Sequence, residues 1–123
     1  MKDAQLPDDV ERGIHMLEQA LGARLPRRYR GFLHRTIGSA DIMERESAQG
    51  DWVCWYGYAL LKERNVTYGV QNVAPTLLLI GQDGDLGYFI DMVEGLDAIY
   101  SVDLGVLGSD EAERVANSIS ELL

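Results

Sequence analysis

The chain has 123 residues, with 11 Lys and Arg against 20 Asp and Glu, so its formal net charge is −9. This length suits one domain with one ordinary core, and the charge disfavours nucleic acid or an anionic membrane surface as a partner and favours a basic protein. A single cysteine, Cys54, excludes an internal disulfide, and no Cys/His cluster has zinc-site spacing. Since the amino terminus is polar and no aliphatic run could span a bilayer, we predict a cytoplasmic protein made of a single domain, residues 1–123.

Two amphipathic helices are predicted at the start of the chain. The first covers 8–21, can be capped by Asp8 or Asp9 and can end at Gly22. Its apolar face consists of Val10, Ile14, Leu17 and Leu21. The second helix begins at Pro26, and its apolar stripe consists of Tyr29, Phe32, Leu33 and Ile37. The link between them is short, so both helices should pack side by side on one sheet.

The middle of the chain has weaker periodicity. Residues 38–51 favour a loop with a short edge strand at 43–47. The aromatic stretch 52–58 is expected to begin as a strand or to dock its rings on the core. A short helix follows at 58–65, then a polar connection at 65–74. Trp52 and Trp55 fit both a core edge and an interface anchor. At least one of them is predicted to pack in the core.

Three strands in succession form the predicted centre of the fold. They cover 76–80, 88–92 and 98–102, and turns containing Gly84 and Gly95 join them. A closing helix is predicted from Ser109 or Asp110, where Asp110 and Glu113 have capping-box spacing. Its apolar stripe consists of Ala112, Val115, Ala116, Ile119, Leu122 and Leu123. These elements predict an α+β domain, mainly an antiparallel sheet, with two amino-terminal helices and one carboxy-terminal helix packed on it.

Motifs of catalysis and of ligand binding are weak or missing in the sequence. Glycines follow the apolar strand at 81, 84 and 87, but a strand comes next where a phosphate site needs a helix. Asp83 and Asp85 lack the further acidic positions of an EF-hand. His15 and His34 have no ligand-spaced companion and are expected at the surface. We predict no catalytic residue, no metal site and no cofactor.

Strand alternation suggests where a partner could bind. Counting along the two strands puts Phe89 and Asp91 on one face together with Ile99, Ser101 and Asp103. The other face, with Tyr88, Ile90, Ala98, Tyr100 and Val102, suits the core better. The helices would then leave an acidic, partly aromatic face uncovered. The candidate partner-binding residues are Asp83, Asp85, Asp91, Glu94, Asp103, Trp52 and Trp55.

The order of these segments resembles the SUKH superfamily, in the branch named after the yeast cell-wall-synthesis regulator (Smi/Knr). The resemblance is carried by Leu25, Pro26 and Tyr29, and by the stretches WYGYALL and AIYSVD. It is carried also by the turn with Gly81, Asp83 and Gly84 that leads to Asp91. It covers nearly the whole chain. One departure is Ile37–Gly38, where an Asn-Gly pair commonly ends the second helix.

The resemblance implies a function for the acidic face. Most bacterial members are thought to be immunity proteins, which bind and neutralise a co-encoded polymorphic or contact-delivered toxin, often a nuclease. We therefore predict a non-enzymatic protein that binds a cognate basic toxin. The alternative is a housekeeping interaction module or regulatory scaffold, as the yeast relative suggests, and an enzyme or small-ligand binder ranks third.

Overall fold

The computed structural model describes residues 5–93, 96–108 and 112–123. Its α-helices are α1 (Gln5–Leu21), α2 (Arg27–Phe32), α3 (Tyr58–Thr67) and α4 (Val70–Val73), and α2 continues as a π-helical turn, Leu33–Ile37. Its strands are β1 (Ile42–Glu46), β2 (Trp52–Tyr56), β3 (Leu77–Asp83), β4 (Leu86–Asp91), β5 (Ile99–Asp103) and β6 (Glu113–Ala116). Short 3-10 turns cover Leu104–Val106 and Ile119–Leu122.

The strands form one antiparallel meander. Their order in the sheet is β1-β2-β3-β4-β5-β6, so every strand pairs with its neighbour in the chain. The hairpin predicted at Asp83–Gly84 is present, and Gly84 has φ 60. Asp85, the second loop residue, has no positive φ, so the turn is of type II′, in which glycine is favoured at the first position because it carries no Cβ. The α+β class and the antiparallel sheet are thus confirmed.

The first two helices pack on one side of the sheet through a chain of aromatic rings. Tyr29 and Phe32 have ring centroids 6.3 Å apart, and Phe32 meets Trp55 of β2 edge-on at 6.1 Å. Trp55 in turn lies 5.5 Å from Tyr88 of β4. Ile14 of α1 is fully buried in the same cluster. The two apolar helical stripes predicted from sequence therefore form the core.

Helix α3 takes the place of a strand beside β3. β2 pairs with β3 only through Cys54↔Gln82 and Trp55↔Gly81, because the chain turns into α3 after Gly57. The buried Asn65 side chain then satisfies Leu79: its amide donates to the Leu79 carbonyl (3.0 Å) and its oxygen accepts from the Leu79 N–H (2.9 Å). One side chain thus supplies the two hydrogen bonds that a neighbouring strand would make.

The opposite side of the sheet is also covered around Phe89 of β4, which corrects the predicted faces. In the β4–β5 ladder Leu86 pairs with Asp103 and Phe89 pairs with Tyr100, so Phe89 and Asp103 point to opposite sides. Phe89 is fully buried, and the side chain of Leu104 lies near it over Gly87. Alternation along each strand was right, but the length of the connection sets how two strands align. The predicted uncovered face, with Asp91 and Asp103 together, is therefore wrong.

The closing helix predicted from residue 109 or 110 is also wrong. Residues Glu113–Ala116 instead form β6, which adds to the free edge of β5. The strand ends before Asn117 and Ser118, which make local hydrogen bonds. The Glu121 carboxylate accepts from the Asn117 N–H, and the Ser118 hydroxyl bonds to the Ser120 hydroxyl. Such local bonds compete with a helix. Asp110, the proposed cap, lies outside the described residues.

Smaller differences concern the ends of elements. Helix α1 begins at Gln5, so Asp8 and Asp9 lie within it and do not cap it. The connection predicted at 65–74 contains α4. Among the described residues, no helix has the length and apolar character needed to cross a membrane.

Candidate partner-binding surface

The pairing register brings several predicted residues to one end of the sheet, which we call the acidic end. It is defined by the β3–β4 turn and holds Glu46, Asp51, Asp83, Asp85 and Asp103. Leu86 of β4 pairs with Asp83 of β3 on one side and with Asp103 of β5 on the other. The backbones of the two aspartates are therefore roughly 10 Å apart, two strand spacings. Asp85 is exposed in the turn, and its carbonyl accepts from the Leu104 N–H at 2.8 Å.

Asp51 completes the acidic end from the β1–β2 connection. Its carboxylate accepts a 2.7 Å hydrogen bond from the Tyr88 hydroxyl. Burial, this bond and the charges of Asp51 and Asp83 raise the pKa of Tyr88. The hydroxyl therefore stays protonated and orients the Asp51 carboxylate.

A groove with apolar side chains adjoins the acidic end. It has a volume of about 440 Å³, and we call it the Trp52 groove. It is lined by Ile42, Glu44, Trp52, Cys54, Tyr56, Leu60, Arg64, Gln82, Asp83 and Gly84. Trp52 is 57% exposed and Ile42 43% exposed, so two large apolar side chains face solvent here. An exposed aromatic side chain within a polar rim is typical of a protein-binding surface.

Alternation on the β1–β2 hairpin builds this groove. Register pairs Ile42↔Tyr56, Glu44↔Cys54 and Glu46↔Trp52 lie on the side away from Trp55. A hydrogen bond from the Tyr56 hydroxyl to the Gln82 side chain fixes the floor, and Gln82 donates to the Gly84 carbonyl at 2.8 Å. The groove is therefore held by hydrogen bonds before any partner arrives.

Cys54 also lines this groove. Cys54 is half-buried, and burial followed by the charge of Glu44 raises the pKa of its thiol. A thiol in this setting is a poor nucleophile near neutral pH. Over the described ranges, no group of three or more His, Cys, Asp or Glu residues could hold a metal ion. The arrangement is suited to binding a protein by charge and by apolar contact.

The seven predicted site residues fall into four groups. Trp52, Asp83, Asp85 and Asp103 lie at the acidic end or its groove. Asp91 lies about 17 Å away, at the other end of β4, where its carboxylate accepts from the Val93 N–H at 2.8 Å. Trp55 is fully buried and belongs to the core, so it cannot touch a partner directly. Glu94 lies outside the described residues.

Sequence reasoning missed four contributors to this surface. They are Ile42, Glu44, Glu46 and Asp51, all from the stretch predicted as a loop with a short edge strand. The alternation of Ile42, Glu44 and Glu46 with Met43 and Arg45 was a usable signal for a strand with one partly polar face.

One family model matches a range of the chain that contains the whole of this surface. The model of the SMI1 / KNR4 family (SUKH-1) matches residues 11–123, which includes α1 from its second turn and all six strands. A search of curated proteins gives no match to the chain.

Proposed function

Because the chain belongs to the SMI1 / KNR4 family (SUKH-1), we propose that it is a non-enzymatic immunity protein that neutralises a basic bacterial toxin by binding it. Family membership fits an immunity role in general. The observation that supports this particular mode is the acidic end of the sheet lying beside the exposed Trp52.

The acidic end provides the attraction. Asp83, Asp85 and Asp103 carry no ion pair within the described part of the chain, so their charges remain available to a partner. A toxin that acts on nucleic acid presents lysines and arginines to its substrate, and these would meet the carboxylates instead. Complementary charge mainly raises the association rate, and salt screens it.

Contacts in the Trp52 groove would slow dissociation of the complex. Trp52 offers a large ring whose apolar surface is desolvated on contact, and such residues dominate the energy of many interfaces. Ile42 extends that apolar surface across the hairpin, in the same groove. We expect the Trp52 ring to set the dissociation rate.

The test uses the product of the adjacent open reading frame. Both proteins are co-expressed, and we expect this chain to restore growth and to co-purify with the toxin. Rate constants measured at rising salt should show slower association with little change in dissociation. Failure of both rescue and co-purification would refute the proposal, and an association rate indifferent to salt would refute its electrostatic part.

Matched variants localise the surface. Asp83→Asn and Asp91→Asn each remove one charge, at opposite ends of the sheet. Asp83→Asn should slow association about two- to threefold more than Asp91→Asn does. Trp52→Ala should raise the dissociation rate roughly 30-fold. Val66→Ala, at an apolar site on α3 that is also exposed (69%), should not. Equal effects of each pair would place the interface elsewhere.

A further inference from the structure

A second groove of opposite charge lies between α1 and α2, and we call it the arginine groove. Its volume is about 640 Å³. It is lined by Glu11, His15, Glu18, Arg24, Leu25, Arg27, Arg30, Gly31, His34 and Arg35. Four arginines against two glutamates give this lining a formal charge of +2, in a chain whose total is −9.

The two acids of the arginine groove are already satisfied. The Glu11 carboxylate accepts hydrogen bonds from both terminal nitrogens of Arg30, at 3.0 and 2.8 Å. The buried Glu18 accepts from the Leu25 N–H at 2.8 Å and from Nε of Arg30 at 3.1 Å. Arg30 thus holds both carboxylates, and neither makes an ion pair with an arginine at the rim among the described residues.

The rim arginines are exposed to solvent. Arg24, Arg27 and Arg35 are exposed, and none has an ion pair within the described residues. The guanidinium of Arg35 lies over Gly31, where a Cβ would stand 2.6 Å from one of its nitrogens. The missing side chain at Gly31 thus lets this cation lie across the groove.

The two charged surfaces lie at opposite ends of the molecule. The N–H of Arg28, next to Arg27, donates to Asp97 at 3.2 Å, which places the α1–α2 turn against the β4–β5 connection. That connection is at the far end of β4 from the β3–β4 turn and its acidic cluster. A protein held at the acidic end would leave the arginine groove open.

We propose that the arginine groove binds an acidic segment of a second protein. Guanidinium groups bind carboxylates in a bidentate manner, and every basic side chain from residue 24 to 35 apart from His34 is arginine. A peptide can place aspartate or glutamate against the rim and neutral side chains against Glu11 and Glu18. A nucleic acid fits less well, because its evenly spaced phosphates would face those two carboxylates. The chain would then join two partners of opposite charge.

The test uses a fluorescent peptide of alternating glutamate and alanine as the probe. Amide chemical shifts should change in α1 and α2 and not in the β1–β2 hairpin. The double variant Arg24→Gln, Arg27→Gln should weaken binding roughly five- to tenfold, as expected for two exposed charge pairs. The control Lys62→Gln, Arg114→Gln removes equal charge from two exposed sites elsewhere and should change the affinity less than twofold.

Other outcomes overturn the proposal. These are no shift change in α1 and α2, equal weakening by both double variants, or tighter binding of a single-stranded oligonucleotide in the same groove. Asp83→Asn should leave peptide binding unweakened. Failure of the arginine groove is therefore distinguishable from failure of the proposed toxin-binding surface.

Discussion

Replacing Asn65 tests whether one side chain closes the gap beside β3. In Asn65→Leu the shape is nearly kept, but the Leu79 N–H and carbonyl lose their partners in a fully buried position. A buried backbone group without a partner costs about 1–3 kcal/mol, so we expect a loss of about 2–6 kcal/mol. This is a large part of the roughly 5–15 kcal/mol that stabilises a domain.

Urea unfolding followed by tryptophan fluorescence measures this loss, since Trp55 is buried in the core. The midpoint should fall while the slope with denaturant stays constant. Gln71→Ala is the matched control: the exposed Gln71 donates to Asn65 and to the Leu77 carbonyl at 2.7 Å. Because water can replace it, its loss should cost less than about 1 kcal/mol. Similar losses for both variants would contradict the strand-substitute role of Asn65.

Three further predictions concern single sites. Gly57→Ala should cost about 1–3 kcal/mol in denaturant unfolding, because a Cβ would clash with the carbonyl oxygen of Ala40; an unchanged midpoint would contradict this. Tyr29→Phe should stabilise by about 1 kcal/mol in the same assay, since the Tyr29 hydroxyl is buried with no partner among the described residues, and a loss of stability would reveal an unseen partner. Cys54 should react slowly with a thiol reagent at pH 8, because burial and the charge of Glu44 raise the pKa of its thiol. Glu44→Gln should speed the reaction, and a slower reaction of this variant would contradict the effect assigned to Glu44.

The amino-terminal helices and the central strands could be predicted because their apolar periodicity agrees with their packing. Val10, Ile14 and Leu17 show the helical spacing and are buried as expected. The carboxy-terminal strand could not be predicted, since Glu113–Ala116 has no strong strand propensity of its own. It forms a strand because it pairs with the open edge of β5.

The candidate site was partly predictable for a related reason. Asp83 and Asp85 were found because a two-residue turn fixes their position locally. Assigning Asp91 and Asp103 to one face required the register of β4 against β5, which depends on a connection whose geometry the sequence pattern does not reveal. The choice between Trp52 and Trp55 depended in the same way on which side of β2 the helices cover.

The meander also has a consequence for how the chain acquires its structure. Each strand pairs only with the strand before and after it, so most of the sheet can assemble from local hairpins with little entropy lost in closing long loops. The sheet can then grow progressively during synthesis on the ribosome, while β6 and the 3-10 turn Ile119–Leu122 join only after their own residues emerge. Such an order of assembly would let a newly made chain reach its folded state quickly.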